Sequence, residues 1–387
     1  MNPVAEFAPQ VRRKSSTFSQ MMEFFGCVIV LWASAIAFYW VKRGMNEGII
    51  AIFNGLAGIG FALAIDLIWE FRLLWNKENK GRKFREYFYR VFHSYSFVSG
   101  LLVALLCPIG TPWWVVGIGA SVATFVAKTV FGGFGMNIMN PAIFGRLFLQ
   151  FLFSKYMVTY VGTKPDVFDV TTGASLTNVS NGYGNIMFSD KLGFTNIVLG
   201  NYFGTLGETL FPVLAVICIY LCVRKIIDWR IPVFYIGGVF LSFVAMFLLN
   251  FDDYRYVIED AFAYTLTGGV VFGGVLCLTD PVTSPTSKSG RIVFALVAAI
   301  FTVTFRTFGH LPEGVAYSIL IANFCAPAID KMIKGRTRRT SEAKLPIVLT
   351  LGLLAILIGI GAGFGWFNPI NPQTGEFLEY VGNKGVF

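Results

Sequence analysis

The sequence predicts an all-α polytopic membrane protein: about ten transmembrane helices in two inverted five-helix repeats with broken helices, plus one extra C-terminal helix. Three observations predict it. Only 14% of the 387 residues are charged and 55% are hydrophobic, whereas a soluble domain carries roughly 25% charged residues. Apolar runs close to the ~20 residues that cross a bilayer recur along the whole chain. Several of these runs are interrupted by Gly or Pro, in corresponding places in the two halves.

The elements follow in order. A polar, basic segment (1–21) opens the chain. It contains no early apolar stretch, so no cleavable signal peptide is expected and the first span serves as its own insertion signal. The first membrane repeat (22–154) holds apolar runs at 22–41, 49–71, 94–109, 113–129 and 139–154. A polar loop (155–205) follows, the longest stretch outside the membrane, and long loops usually carry function. The second repeat (206–333) holds runs at 206–224, 231–250, 261–279, 291–308 and 313–333. A basic linker, an apolar run at 345–366 and a polar tail complete residues 334–387. The echo between halves is local. Asn140-Pro141 through Gly145-Arg146 follows one Gly-rich run, and Asp280-Pro281 through Gly290-Arg291 follows another.

The net charge of +9 does not point to nucleic acid, because the cations sit in short loops between apolar runs. Arg12, Arg13 and Lys14, the group from Arg72 to Arg90, Lys128, Arg224 to Arg230, Lys288 with Arg291, and Lys331 to Lys344 fall on one side. Few fall on the other, among them Arg306, and Arg146 lies inside a span. The positive-inside rule then places the N-terminus in the cytoplasm and loop 155–205 outside. The six Cys are scattered through apolar runs and there are two His. No iron–sulfur set, zinc set or bis-His haem pair is visible, and no metal site is expected.

Chemistry concentrates in the polar loop. Asp169-Val170-Thr171-Thr172-Gly173-Ala174-Ser175 fits D-x-x-[ST]-G-A-[ST], a pattern in which a flavin phosphate is esterified to the last hydroxyl. Gly173 and Ala174 leave room for a transferase, and Asp169 and Thr172 can hold the loop or the transferase's metal. Average residue usage gives this pattern by chance on the order of once in a thousand chains of this size. The plain alternative is a polar turn.

Three further sets carry polar groups to membrane depth. Gly132-Gly133-Phe134-Gly135 leads into Asn137 and Asn140. Unwound backbone there must be buried in protein or line a cavity. The two amides either bind the polar edge of a planar cofactor or cap their own backbone. Asp280, before Pro281, is either a cap or a ligand for a cation or cofactor. Asp66 and Glu70 share a face of the second span, Asp330 ends another span on the same side, and Glu208 begins one at the opposite side. Acids in membrane helices mark ion or proton pathways unless they pair or snorkel to the interface.

Taken together these stretches resemble a known family: the membrane subunit shared by the Rnf electron-transport complex (RnfD) and the sodium-pumping NADH:quinone reductase (NqrB). The likeness runs from about Val11 to Asp330. It rests on Phe131 to Ala142, Asp169 to Ser175, Gly204-Thr205-Leu206-Gly207-Glu208-Thr209, Thr279 to Pro285, and Leu311 to Ala316 with Ala322-Asn323 and Asp330. The resemblance implies FMN on Ser175, a second non-covalent flavin (riboflavin) at Asn137 and Asn140, and cation uptake at Glu70 and Asp330. It implies electron flow from ferredoxin to NAD or from NADH to quinone, coupled to export of Na+ or H+, and no activity of the chain alone. The implied partners are a second covalent flavoprotein subunit, iron–sulfur subunits, a flavin transferase and membrane lipid. The N-terminal run Ala8-Pro9-Gln10-Val11-Arg12 lies closer to the Rnf form. Ser175 stands where Thr is commoner, and residues 345–367 extend beyond the usual end. The rival reading is a non-redox channel or transporter for a small polar solute with a urea-transporter-like broken-helix fold.

Overall fold

A computed structural model describes residues 16–71, 80–157, 198–200, 204–250, 257–308 and 314–333. The Asp169–Ser175 motif and the 345–366 run lie outside the described residues. Among the described residues the chain is helical, with one isolated backbone bridge between Pro108 and Thr205.

The first half opens with α1 (Thr17–Arg43) and α2 (Met45–Phe71). Ser16 caps α1 by accepting the Ser19 N–H at 3.1 Å, and Gly44, at φ 113°, ends it. Both helices are apolar over more than a bilayer's thickness. Trp32 of α1 lies over Gly55 of α2 and donates to the Ala51 carbonyl at 3.0 Å.

Next come α3 (Lys80–Ser94) and α4 (Ser96–Leu106), separated by Tyr95 at φ 55°. The run of 94–109 expected from sequence is therefore the second part of a longer bent element. Its cause is the aromatic, basic α3, whose polar residues hide it from a hydropathy reading. Nearly all of α4 is buried. It crosses α2 at Gly58 and Gly100, where a Cβ on Gly100 would lie 2.2 Å from the Gly58 carbonyl oxygen.

Helix α5 (Trp113–Thr124) runs into a π-turn, Phe125–Thr129, and α6 (Pro141–Leu152) follows the Gly-rich loop. The second half contains α7 (Phe211–Val223), α8 (Arg230–Asn250) and α9 (Val257–Leu266). A short helical turn, Val270–Phe272, then passes into a second π-turn, Gly273–Cys277. Helices α10 (Lys288–Phe308) and α11 (Gly314–Ile333) pack on one another and close the described chain.

Each expected run from 22–41 to 313–333 contains or overlaps a helix. Among the described residues, five segments are long and apolar enough to cross a membrane: Thr17–Arg43, Met45–Phe71, Phe84–Leu106, Lys288–Arg306 and Gly314–Ile333. The helices Trp113–Thr124, Pro141–Leu152 and Phe211–Val223 are shorter, with π-turns, Gly and Pro beside them. Val41, Ile68, Phe151, Val216, Ile219 and Val223 stand exposed on the outside, as a lipid-facing surface requires. The protein is thus a multi-pass membrane protein, helical through its described residues.

The halves meet along α6 and α11 and along α1 and α7. A backbone clasp also joins them. Leu206 N–H donates to the Cys107 carbonyl at 3.1 Å, and Gly207 N–H to the Leu105 carbonyl at 2.8 Å. These are carbonyls that the end of α4 leaves free. Gly207 has no room for a side chain, since a Cβ would lie 2.5 Å from the Phe272 ring.

A polar junction between two broken helices

Among the described residues each half carries one π-turn, followed by a non-helical stretch and then a helix. In the first, Val130 N–H reaches back five residues to the Phe125 carbonyl at 3.0 Å. In the second, Leu278 N–H reaches the Gly273 carbonyl at 2.7 Å. Such turns widen a helix by one residue and are frequent at functional sites. After the first, Gly132, Gly133 and Gly135 take φ of 115°, 97° and 93°, a region that L side chains avoid.

Asn140 lies where the two breaks touch. Its Oδ1 accepts the Ala142 and Ile143 N–H groups at 2.9 and 3.4 Å, capping α6, with Pro141 at the first helical position. Its Nδ2 donates to the Cys277 carbonyl, at the end of the second π-turn, at 2.9 Å. Asn140 is thereby committed to backbone on both sides. Asn137 differs: it is buried, and its Oδ1 has no hydrogen-bond partner. A buried carbonyl oxygen left this way costs free energy until something donates to it. Of the two amides, Asn137 is the one able to meet a planar polar ligand in this conformation.

Asp280 follows the second π-turn. Its Oδ1 accepts the Val282 N–H at 3.1 Å and its backbone carbonyl accepts the Ser284 N–H at 3.2 Å. It caps a turn, and its second carboxylate oxygen adds charge to the junction. Thr283 Oγ1 nearby in sequence, and both polar atoms of Asn323 on α11, are buried without a partner.

The acids fall into separate places. Asp66 is 4% exposed, with Oδ2 lacking a hydrogen bond, and Glu70 one turn on has a buried Oε2 in the same state. Asp330 accepts the Thr286 N–H at 3.1 Å and its hydroxyl at 3.2 Å, holding loop 284–287 against α11. Glu208 accepts the Thr205 N–H and hydroxyl at 3.4 and 3.2 Å, near the clasp. Asp66 lies on α2 and Asp280 just after the second π-turn. Asp330 and Glu208 lie in other settings.

Lys128, which a topology count treats as a loop cation, is buried. It is 2% exposed. Its ammonium donates to the Ser94 carbonyl and to Ser96 Oγ, the latter at 2.8 Å, and lies 5.9 Å from the centre of the Phe134 ring. The charges of Asp66 and Asp280 reach it. Arg306, similarly read as a loop cation, donates to the carbonyls of Tyr264, Thr267 and Gly268, closing the end of α9. Arg146 is 1% exposed and donates to Gln150 Oε1 at 3.3 Å. The signal for Lys128 was available: a lone cation inside the apolar run Val126-Ala127-Lys128-Thr129-Val130.

Buried charges and a polar junction between two interrupted helices define a class of polytopic membrane proteins that keep a polar site at membrane depth. The family model described as NQR2, RnfD, RnfE matches residues 4–339. The chain belongs to that family. It is 34% identical over 251 residues to a member from the Na(+)-translocating ferredoxin:NAD(+) oxidoreductase complex of Acetobacterium woodii, covering 64% of this chain and 74% of that protein. It is 29% identical over 316 residues to a member from the ion-translocating oxidoreductase complex of Alcanivorax borkumensis, covering 76% and 91%. A member from the Na(+)-translocating NADH-quinone reductase of Ectopseudomonas mendocina is 32% identical over 243 residues, covering 61% and 59%. Each of these relatives is one subunit of an ion-translocating oxidoreductase complex.

Proposed function

We propose that this chain is the flavin-carrying membrane subunit of an Rnf/Nqr-type ion-translocating oxidoreductase complex, nearer to RnfD than to NqrB. FMN is esterified through its phosphate to Ser175 in the outer loop, with Asp169, Thr172, Gly173 and Ala174 shaping the acceptor site. The bound flavin supplies one- and two-electron chemistry. The chain itself places the hydroxyl outside the membrane and carries the polar junction within it. The partnerless Asn137 oxygen supports a second, non-covalent flavin (riboflavin) at that junction. Electrons enter from a second covalent flavoprotein subunit and iron–sulfur subunits, since the sequence has no nicotinamide fingerprint or cluster-binding Cys set. A flavin transferase matures the loop. Export of Na+ or H+ uses acids at the inner side, with Glu70 and Asp330 as the family-like positions.

The observation that carries this reading is the family match across residues 4–339 combined with the Asp169–Ser175 pattern inside it. Co-expression with a flavin transferase and intact-mass analysis tests it. The expected product is heavier by one FMN less one water. In-gel flavin fluorescence survives denaturation and is lost in Ser175→Ala. A dark wild-type band overturns the reading in favour of a non-redox transporter, and fluorescence that persists in Ser175→Ala removes the site assignment.

A further inference from the structure

Helix α2 contains Gly48, Gly55, Gly58 and Gly60, and neighbours account for the first three. Gly48 and Gly55 lie under the rings of Trp40 and Trp32, and Gly58 meets the Gly100 backbone of α4. Gly60 meets nothing within 4 Å among the described residues. It lies on the floor of an apolar groove of about 460 Å³, together with Ala57 and Ala64. These three follow one another at helical spacing and share one face of α2 for roughly 10 Å. Phe53, Leu56 and Phe61 of α2 and Trp113 of α5 form the walls. The outer surface of α2 is bulky further along, where Leu67, Ile68 and Phe71 stand exposed. Small residues recessed between bulky ones let another helix approach closely, and helix interfaces in bilayers are enriched in them.

One segment of this chain, outside the described residues, carries a matching pattern. Residues 345–366 contain no charged side chain and are long enough to cross a bilayer as a helix. In helical register Gly352, Ala355, Gly359, Ala362 and Gly363 fall on one arc of roughly 100°, and no larger residue between 352 and 363 shares it. The tether also reaches. Helix α11 ends at Ile333, and the extended chain from there to Leu345 spans up to roughly 40 Å. Helix α11 packs on α6, α6 on α5, and α5 on α2. With neighbouring axes 8–10 Å apart, that path is at most about 30 Å. A tethered segment meets the groove at an effective concentration on the order of millimolar, ahead of a free partner of equal fit. We propose that residues 345–366 form a helix that seats its Gly/Ala face in the α2 groove. This helix straps the end of the second half to α2 of the first. The methyl groups of Ala57 and Ala64 set its distance, so a methyl group at position 60 is accommodated and a larger side chain is not.

The proposal rests neither on the flavin nor on ion transport. Disulfide cross-linking of the full-length chain in lipid nanodiscs tests it, with copper phenanthroline as oxidant. Ala64→Cys is combined in turn with Gly352→Cys, Ala355→Cys and Gly359→Cys on the small face, and with Leu353→Cys and Leu357→Cys on the opposite one. Non-reducing gels separate links within a chain from links between chains, and mass spectrometry of linked peptides excludes the native cysteines. Position 64 is expected to link within one chain to at least one small-face position. Its yield should exceed either opposite-face position by about fivefold or more, because cysteines whose Cα atoms lie beyond ~7 Å do not bridge. Gly60→Leu is expected to suppress the link and Gly60→Ala to leave it near its starting level. Thermal unfolding identifies any variant that fails to fold, and Ala57→Cys provides a second anchor on the groove floor. Equal yields from the two faces overturn the proposal. So do links between chains alone, which assign the groove to a second copy. The absence of any link in folded protein from either anchor also overturns it and leaves the groove to lipid or to another subunit.

Discussion

The side-chain amide of Asn140 donates to the Cys277 carbonyl at 2.9 Å, joining residues 137 positions apart in the chain. The same side chain caps α6. Asn140→Ala removes a helix cap, worth about 1 kcal/mol, and orphans a buried carbonyl, at about 1–3 kcal/mol. Asn140→Ser keeps the cap and loses only the reach to Cys277. Detergent-solubilised protein should therefore melt in the order wild type, Asn140→Ser, Asn140→Ala, from most to least stable. Equal melting of wild type and Asn140→Ser would show that the link between the halves carries no weight.

Helices α2 and α4 touch backbone to backbone at Gly58 and Gly100. Gly100→Ala drives a methyl group into the Gly58 carbonyl and should cost about 3 kcal/mol or more, since neither backbone can retreat cheaply. Gly60→Ala, on the same α2, meets nothing within 4 Å. It should be neutral or stabilising by up to about 1 kcal/mol through helix propensity. Thermal unfolding of the pair separates close packing from generic glycine effects.

Asp330 binds both the N–H and the hydroxyl of Thr286. Asp330→Ala should speed hydrogen–deuterium exchange across 284–287 while leaving α8 unchanged. Unaltered exchange at Thr286 would mean that the loop is held by other contacts.

Asp228 lies between α7 and α8, with the Arg291 guanidinium at 2.5 Å and that of Arg230 at 3.1 Å. Burial pushes its carboxyl up, but the Arg230 N–H and the two guanidinium groups outweigh it and hold it below the usual 3.8. A carboxylate depressed in the folded state stabilises above its unfolded pKa, and that contribution fades as pH falls through the folded value. Asp228→Asn should thus cost about 1 kcal/mol at pH 7, limited by solvent screening. The gap to wild type should close below about pH 4. A gap that is constant with pH would exclude the ion pairs as its source.

Ser175→Thr keeps a hydroxyl at the acceptor position. It should retain in-gel flavin fluorescence at a level comparable with wild type, where Ser175→Ala loses it. Loss in the Thr variant would show that the transferase requires the smaller side chain here.

The helices were legible because long apolar runs leave few alternatives in a bilayer. Helix α3 was not, since its Arg and Lys residues interrupt the apolar count while its aromatic residues still pack. Neither π-turn could be read, because a one-residue widening leaves no mark in composition. The polar junction was half legible. Gly132 to Asn140 marked a break, but only tertiary structure shows that the Asn140 amide is spent on Cys277 and the Asn137 oxygen is not. Lys128 was misplaced for a related reason: a charge count assigns a cation near the end of an apolar run to water, and burial is decided by what surrounds it.

The stitching of Leu206 and Gly207 to the end of α4 sets a pivot. Bonds at a pivot barely lengthen when two bodies tilt about it, while displacement grows with distance along the lever arm. A tilt of the halves about it would stretch the Asn140–Cys277 hydrogen bond, a further link between them.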